Sequence, residues 1–262
     1  MSNNRESIIS YTTKIRVFFK HFLAINLLFI SFAYPLSNTN DNQSQLIFVD
    51  DKENESYVMQ KAFEAEILAQ NRDYQEASKI YQEIINESDD PEIAKRATQL
   101  AGLANNYELM LENSSRWLQL ADEKDKATIR HVRISIFLTL KKTRPAIKET
   151  LEAIENSKDK DKFALVYDTL KVFNDETIKE IFDVVYKKHQ NEYLAHFYYT
   201  QVLLNNAYFE DAIKVIKKAY KFKEFKKKES RWGIFLADAY YELGESDLSI
   251  NTLKDYLSYS PK

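Results

Sequence analysis

Tyr74-x-x-Ala77-x-x-x-Tyr81-x-x-Ile84, Phe209-x-x-Ala212-x-x-x-Ile216-x-x-Ala219 and Gly244-Glu-Ser246-x-x-Ser249-x-x-x-Leu253-x-x-Tyr256 are three copies of one phrase. A small residue stands three positions after an aromatic or small one and four before an aromatic or aliphatic one, with another small or apolar residue three further on. Spacings of three and four gather these residues on one face of a helix. A small side chain in the middle of that face lets a second helix approach closely. Repetition of the phrase along the chain marks stacked helix pairs, which bury their apolar faces on their neighbours.

Counting back from each small residue sets a frame of about 34 residues. Three windows fit it best. Val58–Asp90 carries Ala65, Leu68, Tyr74, Ala77, Tyr81 and Ile84, and Tyr193–Lys226 carries Tyr199, Thr200, Leu203, Phe209, Ala212, Ile216 and Ala219. Ser230–Lys262 carries Leu236, Ala237, Tyr240, Gly244, Ser249, Leu253, Tyr256 and Pro261. Weaker copies lie between. Pro91–Lys124 opens on a proline, which loses nothing at a helix start, and Lys126–Lys158 places Ile134, Phe137, Leu140, Ile147, Leu151 and Ile154 at helical spacing. Asp159–Glu192 offers Leu165, Val166, Phe182 and Val185 as packing residues. The pattern predicts an all-α fold: a right-handed superhelical solenoid of about six helix-turn-helix repeats over residues 56–262.

Composition removes several classes of function. The 3 glycines, Gly102, Gly233 and Gly244, stand alone, so no glycine-rich loop can bring backbone amides against a phosphate. With no cysteine there is no disulfide, thiolate metal site, cysteine nucleophile or acceptor for a lipid. The 4 histidines, His21, His131, His189 and His196, lack the spacing of a metal site, and no nucleophile elbow or paired carboxylates accompany them. His196 falls in a packing slot, and Trp117 and Trp232 fall where aromatic wedges belong. The reading is of a protein without catalytic, cofactor-binding or metal-binding residues.

Arg5, Lys14, Arg16, Lys20 and His21 precede the apolar run Phe22–Ala33, which ends Ser31-Phe32-Ala33. A basic start, a short apolar core and small residues before a cleavage point describe an export signal over residues 1–33, with retention as an anchor the alternative. Residues 34–55, rich in Asn and Asp, read as a flexible polar leader. The expected location is therefore the periplasm.

In such a solenoid the first helix of each pair lines a concave groove. The frame puts Glu66, Gln70, Glu92, Lys95, Gln99, Phe197, Gln201, Asn205, Asp238, Tyr241 and Glu242 there, as the surface for a protein or peptide partner. Charge is uneven: acids dominate residues 41–90, whereas residues 214–231 hold nine cations against two glutamates. Within that run Lys223, Lys226, Lys227 and Lys228 form a candidate patch for an anionic surface, including peripheral contact with a membrane. The other reading of the patch is a solvated loop between repeats. A secreted chain has little occasion to meet nucleic acid. Leu253, Tyr256 and Leu257 are expected to be partly exposed and to favour self-association.

The pattern over residues 56–262 resembles the tetratricopeptide repeat family. Glu64–Tyr81, Asp90–Ala101 and Ser115–Leu118 are together similar to envelope tetratricopeptide proteins of Gram-negative bacteria. That resemblance implies a non-catalytic adaptor, with a carboxyl-terminal processing protease or a peptidoglycan hydrolase as partner. The group's adaptors are anchored through a lipidated cysteine, which this chain lacks. A subunit of an envelope assembly complex is the second reading, and a helical-solenoid cell-wall enzyme the third.

Overall fold

One turn, used five times, organises the chain. At Arg72 the backbone is left-handed (φ 66), and the amides of Arg72 and Asp73 reach back to the carbonyls of Ala69 and Leu68. The same pair of bonds recurs at Asn105 (φ 58), Lys141 (φ 56), Ala207 (φ 60) and Gly244 (φ 79). Bonds of this kind close a helix and reverse the chain. The next helix starts at once, since the carbonyls of Asp73, Asn106, Lys142, Tyr208 and Glu245 accept from the amides of Ala77, Met110, Ala146, Ala212 and Ser249. The small residue of the sequence phrase is thus the first whose amide is satisfied within the second helix, and it is buried in the pairs that hold Ala77, Ala146, Ala212 and Ser249.

A left-handed residue with a Cβ is strained by about 1 kcal/mol, and glycine is not. Gly244 alone among the five avoids that strain. We therefore expect Ala207→Gly to stabilise the protein by about 0.5–1 kcal/mol, read as a higher urea midpoint at unchanged slope; an unchanged or lower midpoint would mean that Ala207 Cβ packs usefully.

The computed structural model describes residues 48–173, 176–226 and 230–259. Among them are twelve α-helices and no strand. They are α1 Phe48–Gln70, α2 Tyr74–Ile84, α3 Pro91–Leu103, α4 Tyr107–Leu120, α5 Glu123–Thr139 and α6 Thr143–Glu155, then α7 Ala164–Leu170, α8 Glu176–His189, α9 Tyr193–Asn205, α10 Phe209–Ala219, α11 Ser230–Glu242 and α12 Ser246–Tyr259. A 3-10 turn, Lys223–Lys226, lies before α11. Two helices fall in each of the six windows of the sequence frame, and five of the six share the turn described above. Residues 1–33 lie outside the described residues, as do 34–47, and α1 begins within the stretch read as a leader.

The chain divides into two compact units, Met1–Ile129 and Arg130–Lys262. In the first, α1 packs on α2, α2 on α3, and α3 on α4. Its helix starts are set by short polar side chains: Asp73 accepts from the Glu76 amide, Asp90 from that of Glu92 and Asn106 from that of Leu109, each satisfying an amide the helix leaves open. Pro91 takes the first position of α3. The interior is built from Ala65, Ala77, Ile84, Ala97, Leu100 and Ala101, all fully buried.

In the second unit, α6 and α9 both pack on α8, and α9–α12 follow as two pairs. Arg130 and Arg133 of α5 reach the nearly buried Glu149 of α6 at 2.9 and 3.2 Å. A carboxylate this deep needs such partners. His131 is largely buried and meets the Thr169 hydroxyl at 3.2 Å. Burial pulls its imidazole down to about 4, so it is neutral near pH 7 and serves as a core hydrogen-bonding group. His196 is fully buried, and burial lowers it too. Its Nε2 lies 2.9 Å from the Gln190 carbonyl, and its Nδ1 lies 3.3 Å from the Val215 carbonyl and 3.4 Å from the Tyr186 hydroxyl; the two carbonyls oppose the lowering that burial imposes.

The fourth pair departs from the expected register. α7 has seven residues, because Lys158-Asp-Lys-Asp-Lys162 occupies the place of a first helical turn with groups that cannot be buried. Its inward stripe is Phe163, Val166, Thr169 and Leu170, while Leu165, expected to pack, is 44% exposed. A one-residue error turns a side chain about 100° around a helix, enough to move it from core to solvent. Val166, Phe182 and Val185 are buried as expected.

Candidate partner-binding face

Side chains on the first helices of the pairs form two patches of different character, one in each unit. In the first unit the polar groups satisfy one another. Glu66 of α1 accepts from Arg96 Nε and Nη2 of α3, both at 2.7 Å, and from the Tyr81 hydroxyl at 2.9 Å. Arg96 Nη1 donates to Gln99 at 3.3 Å. Burial raises the Glu66 carboxyl, but the bonds from Arg96 outweigh it and leave the group below its ordinary value. Glu92 and Lys95 pair with each other at 3.0 Å, and Gln70 is exposed. The structure thus brings Glu66 and Gln99 together through Arg96, which the sequence reading passed over. It forms a planar two-pronged clamp that joins two neighbouring first helices.

The second unit is different. Phe197, Gln201 and Asn205 follow one another at four-residue intervals on α9, forming a single stripe. Phe197 lies 5.8 Å from Trp232 and 5.7 Å from Phe235, ring centre to ring centre, with the Arg231 guanidinium 5.9 Å above its face. Tyr198 stacks at a tilt on Tyr167 of α7, 5.3 Å away, and donates its hydroxyl hydrogen to Asp161 at 2.7 Å. Asn205 Nδ2 donates to the Tyr167 hydroxyl at 3.2 Å. Between them, the Gln201 Nε2 amide is buried and has no partner. Asp238, Tyr241 and Glu242 are exposed on α11. Lys223 is exposed at the 3-10 turn; Lys226 ends that turn, and Lys227 and Lys228 lie outside the described residues.

Tyr167, Tyr198 and Arg231 were not singled out from the sequence. Tyr198 adjoins Phe197 and could have been found by stepping back one stripe on α9. Tyr167 sits in the short helix whose register the sequence does not reveal. Chemically, the patch offers aromatic faces, amide donors and carboxylates. Among the described residues no group of three or more His, Asp and Glu side chains is placed to hold a metal ion, and no described helix is long and apolar enough to cross a membrane.

No family model and no curated protein matches the chain. Solved structures do. The C-terminal part of a TPR repeat-containing protein from Cytophaga hutchinsonii matches with 13% identity over 76% of this chain and 78% of that one, at a TM-score of 0.39. A tetratricopeptide repeat protein from Parabacteroides merdae shares 9% identity over 79% and 81%, with a TM-score of 0.41. YrrB, described as a TPR protein with an unusual peptide-binding site, shares 10% identity over 83% and 94%, with a TM-score of 0.34. Each superposes loosely, and the helix-pair repeat of this chain stands on its own five turns and buried small residues.

Proposed function

We propose that the chain is a non-catalytic scaffold that holds an extended polypeptide against the first-helix face of its second unit. The observation that carries the proposal is the α9 stripe of Phe197, Gln201 and Asn205, next to the Tyr167–Tyr198 pair that Asn205 touches. The Gln201 amide has no partner within the chain, and turning its side chain outward would offer it to an incoming acceptor, relieving a cost of about 1–3 kcal/mol. A peptide carbonyl is such an acceptor, and alternate side chains of an extended peptide lie flat on aromatic rings at low entropic cost. Asp238 and Glu242 add negative charge on α11 and favour peptides with a basic residue.

The test is a peptide array screened with the purified chain, followed by titration of the best peptide with Gln201→Leu. Leucine keeps the stem and removes the donor, so affinity should fall about fivefold, the worth of one neutral hydrogen bond, with thermal stability unchanged or slightly raised. Undiminished affinity in this variant, or an array with no binder, would refute the proposed face.

The export reading of residues 1–33 belongs with this proposal. Its support is the basic, apolar and small-residue order of that segment, and the scaffold would work in the cell envelope, serving a protease, a cell-wall hydrolase or an assembly complex. Fractionation of the tagged chain tests the location, and isolation of its partners from envelope extracts tests the role.

A further inference from the structure

The pairs α9/α10 and α11/α12 are related by the distance between their left-handed turn residues, Ala207 and Gly244, which is 244 − 207 = 37 positions. In the earlier pair, Phe197 and Leu204 of α9 and Ile213 and Ile216 of α10 form the face that packs against Trp232, Leu236 and Ala239 of α11. Moving each by 37 positions gives Ile234, Tyr241, Ile250 and Leu253. All four are apolar, yet they are 41%, 67%, 49% and 38% exposed. Leu257, the counterpart of Tyr220, is exposed as well. The last described pair therefore repeats the apolar character of four docking positions of the pair before it, though Tyr193 and Phe209 of that face have Ser230 and Ser246 as counterparts.

We infer that this face of α11 and α12 is an interface between two copies of the chain, paired about a two-fold axis so that it meets itself. Its five side chains expose roughly 500 Å² per copy, at the upper end of the apolar patches monomers tolerate. Complete burial of both patches removes about 1,000 Å², the area a specific interface must reach, and the polar residues around them add to it. Two-fold self-pairing is also the commonest way soluble chains associate.

The alternative within one kind of chain is head-to-tail stacking, with α1 of one copy standing where α11 stands on its neighbour. Counted back from their turns at Gly244 and Arg72, the α11 residues Trp232, Phe235, Leu236 and Ala239 correspond to Gln60, Phe63, Glu64 and Ile67 of α1. A glutamine replaces the tryptophan, and Glu64 replaces a buried leucine. Glu64 has Lys61 at 3.4 Å, but seating either charge in an apolar interface costs more than the contact returns. Self-pairing avoids Glu64, and Asp238, four residues from Ile234 on α11, is the charge it must leave at its edge. The two surfaces share Tyr241, so the test is placed on α12, whose residues are no part of the peptide face and whose outcome does not depend on that reading.

Because the chain has no cysteine, single introduced thiols report proximity directly. Leu253→Cys alone should form a covalent dimer under mild oxidation. Ile250→Glu combined with Leu257→Glu, both at exposed positions of α12, should abolish it while leaving the far-ultraviolet circular dichroism unchanged. The pairing is overturned if Leu253→Cys crosslinks only when mixed with Phe63→Cys, which reports head-to-tail stacking. It is equally overturned if sedimentation shows only monomer at about 100 μM, where a complex of micromolar Kd is mostly formed.

Discussion

Replacing Trp232 with alanine is expected to lower the stability of the second unit by about 3–5 kcal/mol, the range for deleting a buried aromatic side chain. Trp232 is 1% exposed and stands where α9, α10 and α11 meet. Its ring is 6.0 Å from Tyr193, 5.8 Å from Phe197, 5.4 Å from Phe225 and 6.3 Å from Phe235, and its Nε1 donates to the Tyr193 hydroxyl at 2.7 Å. The cavity left by alanine is too polyhedrally lined to collapse, and the Tyr193 hydroxyl loses the donor it accepts from. Where each pair contacts chiefly its neighbours, damage at one junction uncouples the elements on either side. The α11/α12 pair should therefore open before the rest, seen as fast amide exchange over residues 231–259 at denaturant concentrations that leave residues 130–219 protected. Trp232→Phe, which keeps the ring but loses the donor, should cost much less, about 1–2 kcal/mol. Equal effects of the two variants, or one cooperative loss of both segments, would contradict this account.

The helix pairs were legible because their turns force a local pattern. A left-handed residue followed by a helix start fixes where the second helix meets the first, and a small residue three positions after that start is visible as Ala77, Ala212 and Ser249. Two places were harder to read. In the fourth pair, acids and lysines shorten α7, and with only two turns of helix no period can be established, so Leu165 was placed one residue away from the true stripe. The candidate partner-binding face was legible only in part. Sequence spacing identified Phe197, Gln201 and Asn205 as one stripe, because that follows from helix geometry. It could not find the Arg96 clamp on Glu66 or the placing of Tyr167 beside Tyr198, because those depend on how neighbouring pairs pack and on no spacing within one helix.

The second pair shows why its phrase differs, and supplies the other large effect. Eight positions separate Gly102 from Met110, Leu138 from Ala146 and Leu204 from Ala212, in each case across the turn. The third and fifth pairs put the large residue on the first helix and the small one on the second. The second pair reverses this: a Cβ built on Gly102 would lie 3.1 Å from Met110 Sδ, so methionine fills the space that glycine leaves. The last pair contains a second exchange of the same kind, since a Cβ at Gly233 would come 2.7 Å from Tyr256 Cβ, whereas the matching positions 37 earlier hold the bulky His196 and the small Ala219. Close packing conserves the combined volume at a helix crossing and leaves open which helix supplies it. Gly102→Leu should thus overpack the α3/α4 crossing and cost about 2–3 kcal/mol, despite leucine's better helix propensity. Met110→Ala should cost about 2–3 kcal/mol through the opposite defect, a cavity. Together they rebuild the arrangement of Leu204 and Ala212, and the double variant should be more stable than either single one. The double-mutant cycle then gives a coupling of at least about 2 kcal/mol. Additive losses would show that Gly102 and Met110 do not share one space.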